Sequence, residues 1–436
     1  MNRKKRIRII TLGCSKNDVD TEHLLSCLPD SDFEFSGEDS AEPVDLLLIN
    51  TCGFIGDAKQ ESIDCILANV ERKRRGRIGK IAVFGCLSQR YAAELPSLIP
   101  EVDVWFGARK LNPVLRWLGA DGDADASTAR RMLPSPYAYL KISEGCNRRC
   151  SYCAIPSIRG RHRSVPVETL VEEAAGLAAG GVKELLLIAQ DSTWYGLDLY
   201  KERSLGRLLD ALSGVEGIER LRIHYSHPAD FPLDVLERMA SNPKVCRYLD
   251  IPLQHVSDKV LRAMHRHVSG AWTRELVQRL RQEVPGVALR TTMIVGHPGE
   301  SEKEFAELLD FLQEARFERL GAFMYSEEEG TWGASHLPDS VPQEEKKRRL
   351  DALMSLQRGI SRKINEERIG STAHVLVDAY SEGLLVCRSE FESPEVDGEI
   401  LVSTEGVANP SGQVGNFLDV RITGADDYDL TGKILA

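Results

Sequence analysis

The chain of 436 residues lacks several features that would place it elsewhere. No stretch approaches the roughly 18 consecutive apolar residues that a membrane span needs, so no membrane partner is expected. The basic start, Met1 to Arg8, is followed only by Ile9 and Ile10 before Thr11, too short an apolar run for a secretion signal. An excess of positive charge is also missing. Lys and Arg number 55 against 66 Asp and Glu, a net charge of −11, which argues against nucleic acid as the main partner. Ten cysteines in so long a chain are too sparse for a disulfide scaffold and read instead as metal ligands or buried thiols. A soluble, cytoplasmic protein of two or three domains is expected, and 42% hydrophobic residues can fill its cores.

The stretch Glu144-Gly145-Cys146-Asn147-Arg148-Arg149-Cys150-Ser151-Tyr152-Cys153 organises the rest. Cysteines spaced by three and then two residues fit on one tight loop. Their thiolates can converge on one face of an iron–sulfur cube, leaving one iron without a protein ligand. An open iron can bind and reduce a small molecule, whereas a fully ligated cluster can only pass electrons. Zinc is the alternative. It usually wants four ligands and no fourth cysteine lies nearby, but His162 could serve.

Residues 1–118 read as an α/β domain. Strands are expected at Ile7–Leu12, Asp45–Asn50, Lys80–Phe84 and Val102–Phe106. Helices are expected from Ser15 to Cys27, Ala58 to Arg74 and Gln89 to Leu98. Such alternation implies a parallel sheet with ligands at the carboxyl ends of its strands. Cys14, Cys52 and Cys86 follow the first three strands at nearly the same place, side by side at one edge. A second three-cysteine metal site is the better reading. Cys27 and Cys65 fall inside helices and read as core. The basic run Arg72 to Arg77 reads as a solvated helix end.

Residues 119–136, rich in Ala, Asp, Ser and Pro, read as a linker. Residues 137–369 repeat a βα unit six times, with strands near Tyr137–Ile142, Glu184–Ala189, Leu221–Tyr225, Tyr248–Ile251, Leu289–Val295 and Leu320–Tyr325. Six parallel strands make a partial (β/α)6 barrel, open at the side for a large substrate and active at the carboxyl rim. Cys146–Cys153 leave the first strand at that rim. Gln190, Asp191, His224, Tyr225, His227, Asp250, Gln254, His255 and the run Gly296 to Glu300 gather there as a candidate pocket. Val341 to Arg368 reads as an amphipathic connector. Residues 370–436 alternate in short strands between glycine turns, as in a small β-barrel, with Cys387 in its core.

The cysteine loop, with Tyr152 before its last cysteine, resembles the signature of radical S-adenosylmethionine enzymes. With the second triad and the terminal β-module, the whole chain is similar to the radical S-adenosylmethionine methylthiotransferase family: methylthiotransferase domain, radical core, TRAM domain. It resembles the branch that modifies a ribosomal protein more than the tRNA-modifying branch. The residues are Thr11-Leu12-Gly13-Cys14-Ser15-Lys16-Asn17, Ile49 to Ile55, Ala189-Gln190-Asp191-Ser192-Thr193 and Ile251-Pro252-Leu253-Gln254-His255. To these add Gly321-Ala322-Phe323-Met324-Tyr325-Ser326 and Pro394-Glu395-Val396-Asp397-Gly398. Two positions depart from the pattern: His297, where an aromatic is expected, and Thr21, where serine is.

The resemblance implies two [4Fe-4S] clusters and S-adenosylmethionine. Cys146, Cys150 and Cys153 would hold the cluster that cleaves the cofactor to a 5′-deoxyadenosyl radical, which takes hydrogen from an unactivated C–H bond. Cys14, Cys52 and Cys86 would hold a second cluster carrying the sulfur to be methylated and transferred. Gln190, Asp191, His224, Asp250, Gln254, Gly296, Gly299 and Glu300 are the expected cofactor contacts. The implied target is the β-carbon of an aspartate on the twelfth small-subunit ribosomal protein. An electron donor such as a flavodoxin or ferredoxin and a sulfur source are the implied partners. From Gly370 to Ala436 twelve acids face three bases. So acidic a module would repel tRNA phosphates and suits a basic ribosomal protein, with Glu395, Asp397 and Glu399 as docking candidates. A metal-stabilised, non-enzymatic ribosome- or RNA-binding adaptor is the reading from another class, and a tRNA methylthiotransferase the other enzymatic one.

Overall fold

A computed structural model describes residues 3–37, 40, 42–229 and 231–435. Met1 and Asn2, at the head of the basic start, lie outside the described residues. The first domain is a parallel sheet of β1 (Lys5–Thr11), β2 (Phe33–Phe35), β3 (Val44–Thr51), β4 (Ile78–Gly85) and β5 (Val104–Trp105), in the order β2-β1-β3-β4-β5. Successive side chains of a strand point to opposite faces. Leu46, Leu48, Ala82 and Phe84 accordingly enter one apolar layer, and Leu47, Ile49, Ile81 and Val83 the other. β2 is too short to have been read from alternation. The helix expected over Gln89–Leu98 starts earlier, at Cys86, stops at Arg90 and resumes as Leu95–Leu98. Pro96 explains the break, because it cannot donate within a helix but suits a first turn.

The central strands are β6 (Tyr137–Lys141), β9 (Glu184–Ile188), β10 (Arg220–Ile223), β11 (Val245–Asp250), β12 (Ala288–Val295) and β13 (Arg319–Met324). They lie in chain order, all parallel, and β6 does not pair with β13. A short ladder of β7 (Ser143–Glu144) and β8 (Arg163–Ser164) closes the base of the Cys146–Cys153 loop. The first domain straddles the gap between the edge strands. Its helix Ser15–Ser26 packs on β6. Beyond β13, Glu328 accepts from Lys59 at 2.9 Å and Arg90 at 2.8 Å.

The helix Gln343–Glu367, expected as a connector, packs along β13 and the helix Glu302–Ala315. It buries Leu353, Lys346 and Arg349 there, so it belongs to the barrel's outer layer. The terminal domain is a closed barrel of β14 (Thr372–Ser381), β15 (Leu384–Arg388), β16 (Ile400–Ser403), β17 (Phe417–Ala425) and β18 (Leu430–Ile434). β18, absent from the sequence reading, closes it by pairing with both β16 and β17. Cys387 is fully buried in its core.

The loop between β15 and β16 enters the lower end of the central barrel. Arg388 donates to Glu184 at 3.0 Å, and Arg222 donates to the same carboxylate at 2.7 Å. Arg319 and Arg368 both donate to Glu392, and Arg247 pairs with Glu390. Glu390 and Glu392 of the terminal domain are thus met by arginines of the barrel.

Candidate metal and cofactor centre

Cys14, Cys52 and Cys86 leave β1, β3 and β4, which the sheet order makes neighbours. Two glycines let the turns approach. Gly13 has φ +103°, and a side chain there would put Cβ 2.7 Å from Cys52 Cβ; at Gly53, Cβ would meet the Leu87 backbone at 2.7 Å. No other residue fits either position without displacing a neighbour. Asn17 donates to the carbonyls of Leu12 (2.7 Å) and Thr51 (3.2 Å), tying the first turn to the second. Ser62 holds both backbone groups of Cys52. Cys14 is exposed while Cys52 and Cys86 are buried. Burial pushes the Cys86 thiol up to about 11 against the pull of Arg159, and burial likewise raises Cys52. Thiolates so placed need a cation, as metal ligands do.

In the second triad Cys146 is buried and Cys150 and Cys153 are half-buried. Burial raises Cys146 to about 12 and raises Cys153 further. The Arg148 backbone N–H donates to Cys146 Sγ at 3.3 Å, and Arg266 donates to Cys150 Sγ at 3.7 Å. Among the described residues no three His, Cys, Asp or Glu close on a single ion. The ligands of an iron–sulfur cube sit on different irons and need not close on one point. Of His162, the possible fourth zinc ligand, Nε2 lies 3.1 Å from Ser164 Oγ, while the buried Nδ1 has no hydrogen-bond partner among the described residues.

Between the triads lies a charged quartet that the sequence reading missed, with Asp20 and Arg159 buried and Lys141 and Glu144 half-buried. Lys141 donates to Glu144 (3.0 Å) and Asp20, and Arg159 donates to Asp20 (2.7 Å) and Glu144 (3.2 Å). Burial opposes the charge on both carboxyls, but Lys141 and Arg159 outweigh it and hold them below their ordinary values. Arg159 also donates from Nε to Cys86 Sγ at 3.2 Å. The signal was present: an arginine six residues after Cys153, amid Ile155, Pro156 and Ile158.

The expected cofactor contacts divide. Gln190 and Gln254 each keep a buried carbonyl oxygen without a partner, as do the Nε2 atoms of His227 and His255. Gln254 is held at φ +73° and Tyr225 at φ +59°, backbone states rare outside glycine that cluster at binding sites. This fits a polar ligand such as S-adenosylmethionine. Asp191 is committed to Arg148 (2.8 Å) and to capping Thr193. Asp250 accepts from Arg290 at 3.0 Å, and Glu300 from Arg349 at 3.0 Å and the Gly296 N–H at 2.8 Å. His224 faces Ser393 of the terminal domain. Gly296 needs its missing side chain for another reason than a ligand, since a Cβ would strike Lys346. Gly299 is exposed. His297 packs edge-on against Tyr325, centroids 4.9 Å apart, which is what an aromatic would do there.

The docking expectation needs correction. The Asp397 side chain is 1% exposed and accepts from the Tyr248 hydroxyl at 2.7 Å. Glu395 accepts from the hydroxyls of Tyr137 (3.2 Å) and Tyr139 (2.9 Å). Both acids serve the seam between domains, and only Glu399 of the three has no such commitment across it among the described contacts.

Three family models match consecutive stretches: Uncharacterized protein family UPF0004 over residues 6–107, Radical SAM superfamily over 140–312 and TRAM domain over 369–435. Among solved structures, the radical S-adenosylmethionine methyltransferase TsrM from Kitasatospora setae, with cobalamin and a [4Fe-4S] cluster bound, superposes with TM-score 0.56. It covers 94% of this chain and 85% of its own at 14% identity, so the likeness is one of fold. Fold and cysteine loop define a radical SAM protein. Ribosomal protein uS12 methylthiotransferase RimO from Cytophaga hutchinsonii is 49% identical over 435 residues, 100% of this chain and 99% of the relative. The RimO of Bacteroides thetaiotaomicron is 48% identical over 434 residues, 99% of each. The chain belongs to the RimO family of ribosomal protein uS12 methylthiotransferases.

Proposed function

We propose that this enzyme transfers a methylthio group to the β-carbon of an aspartate in ribosomal protein uS12. The observation that carries the reading is that one side chain, Arg159, six residues beyond Cys153, reaches Cys86, so the two triads share one interface. Cys146, Cys150 and Cys153 would hold one [4Fe-4S] cluster and Cys14, Cys52 and Cys86 the other. When bound, the clusters and S-adenosylmethionine supply the one-electron cleavage that activates a C–H bond and the sulfur that is transferred.

The protein's own part is positioning and exclusion. The unpartnered oxygens of Gln190 and Gln254 would receive the cofactor's donors. The quartet Asp20, Lys141, Glu144 and Arg159 fixes the spacing of the triads, and the terminal domain's loop closes the barrel from below against water. The substrate would enter beside the straddling first domain. A one-electron donor such as a flavodoxin or ferredoxin and a sulfur source complete the system. No helix among the described residues is long and apolar enough to cross a membrane, and we place the reaction in the cytoplasm.

The test is mass spectrometry of uS12 and of tRNA from cells with and without the gene, paired with the anaerobically reconstituted protein. A methylthio mass addition on a uS12 aspartate that vanishes with the gene is expected. Methylthiolated tRNA with unmodified uS12 would overturn the assignment.

A further inference from the structure

Arg159 follows the loop of one triad and touches a ligand of the other. It caps the short helix Ile155–Ile158 and is 4% exposed. Its Nη1 donates to Asp20 at 2.7 Å, Glu144 at 3.2 Å and the Ala108 carbonyl at 3.4 Å; Nη2 donates to Asn17 Oδ1. A guanidinium so deeply buried is tolerated only when fully paired. Here the pairing is complete without sulfur, because Asp20 and Glu144 balance Lys141 and Arg159. Charge balance therefore does not require the Nε–H bond to Cys86 Sγ at 3.2 Å. That bond points the most rigid donor of the group at a cluster ligand. The triad is asymmetric as a result: Cys52 is approached by the backbone N–H groups of Gly53 and Phe54, and of its three cysteines Cys86 alone has a cationic donor on its sulfur among the described contacts.

We propose that Arg159 is a positioning residue that tunes the amino-terminal cluster. Its hydrogen bond to the Cys86 thiolate stabilises the more electron-rich, reduced state and so raises that cluster's reduction potential. Because the bond is charge-assisted, it is the strong kind. Because it starts six residues beyond Cys153, in the connection closed by β7 and β8, it also makes the electronics of one cluster depend on the placement of the other. The inference rests on the reading of Cys14, Cys52 and Cys86 as a cluster site.

The experiment uses the full chain carrying Cys146→Ala, Cys150→Ala and Cys153→Ala, so that one cluster remains, with Arg159→Lys and Arg159→Gln added separately. After anaerobic reconstitution, iron is counted and the midpoint potential is followed by electron paramagnetic resonance. Arg159→Gln is expected to keep one cluster's iron and to shift the midpoint to a more negative value, with an altered line shape. Arg159→Lys keeps a charge for Asp20 and Glu144 but misplaces the donor, and its midpoint should fall between. Midpoints equal to the parent's would overturn the proposal. Should Arg159→Gln fail to fold, Arg159→Lys decides alone by the same criterion. Loss of iron from both folded variants would also overturn it, since a tuning bond is not a ligand. A parent without iron at this site would remove the cluster reading itself, a failure distinct from an unchanged potential.

Discussion

Ser393 Oγ of the terminal barrel lies 2.9 Å from Nε2 of His224 at the rim of the central one. The other ring nitrogen, Nδ1, stands 3.7 Å from Asp250. A residue of the terminal domain thus completes the environment of a side chain at the catalytic end of a strand. The terminal domain is part of the site's floor.

Ser393→Ala should therefore be felt inside the barrel. It leaves one buried nitrogen of His224 unsatisfied, a penalty of about 1–3 kcal/mol. A fall in the thermal midpoint with the iron content unchanged is expected by calorimetry and iron analysis. An unchanged midpoint would show the contact to be idle.

The two triads give an independent prediction. Replacing Cys146, Cys150 and Cys153 by Ala should remove about half the iron, by one cluster of two, and abolish cleavage of S-adenosylmethionine. Replacing Cys14, Cys52 and Cys86 should also halve the iron yet leave reductive cleavage to 5′-deoxyadenosine intact. Full iron in the second triple variant would mean that the amino-terminal triad holds no cluster.

Much of this was legible from the chain because the signals are periodic or local. Strand alternation placed Cys14, Cys52 and Cys86 at equivalent turns, and six βα repeats located the rim. What stayed hidden depends on long-range pairing. Arg159 meets Cys86 across 73 residues and Ser393 meets His224 across 169; Arg159 stands out locally amid Ile155, Pro156 and Ile158, but no local pattern names its partner. Net charge misled for the same reason. The acids of residues 370–436 look like a free docking face until Arg247 is seen against Glu390, and Arg319 and Arg368 against Glu392. Likewise Gly296, read as a place for a ligand to approach backbone, is shaped by Lys346, 50 residues further on.

Acid should loosen the molecule in two stages. Burial, with the like charge of His297, holds His255 at about 3, and burial holds His297 at about 4. Both titrate near 6.5 in the unfolded chain. Below that value the unfolded state takes up more protons, so their contribution to stability is lost as pH falls from about 6.5 to about 3. Glu184 and Glu392 are opposed by burial, but Arg222, Arg388 and Arg220 for the first, and Arg368 and Arg319 for the second, outweigh it and hold both at about 2. Their contribution is present above roughly pH 4.3 and is lost below it. Since both acids sit in the seam, the second stage should separate the terminal domain from the barrel. Limited proteolysis across pH 7 to 3 checks this: cleavage near residue 370 should rise below about pH 4. A single loss with no change at that junction would contradict the assignment of the two stages.

The last prediction separates docking from folding among the three acids first proposed as a docking face. Asp397 is buried between the Tyr248 hydroxyl (2.7 Å) and the Ser393 N–H (2.9 Å), with Arg290 at 3.5 Å. Asp397→Lys would bury a cation beside Arg290 and remove the oxygen that accepts from both donors. The expected loss is about 3–5 kcal/mol whether or not a partner is present. Glu395 is exposed yet binds two tyrosine hydroxyls at once, so its reversal mixes both effects. Glu399 is exposed, and reversing it leaves the seam's contacts in place. If the terminal domain grips basic uS12, Glu399→Lys should keep the parent's thermal midpoint while weakening uS12 binding. The loss should be largest at low ionic strength, where the screening length is longest. Binding titrations at two salt concentrations, beside a melting curve, supply both numbers. Affinity equal to the parent's at low salt would take Glu399 out of the docking surface and move the search to the exposed acids Glu382, Glu405 and Asp419.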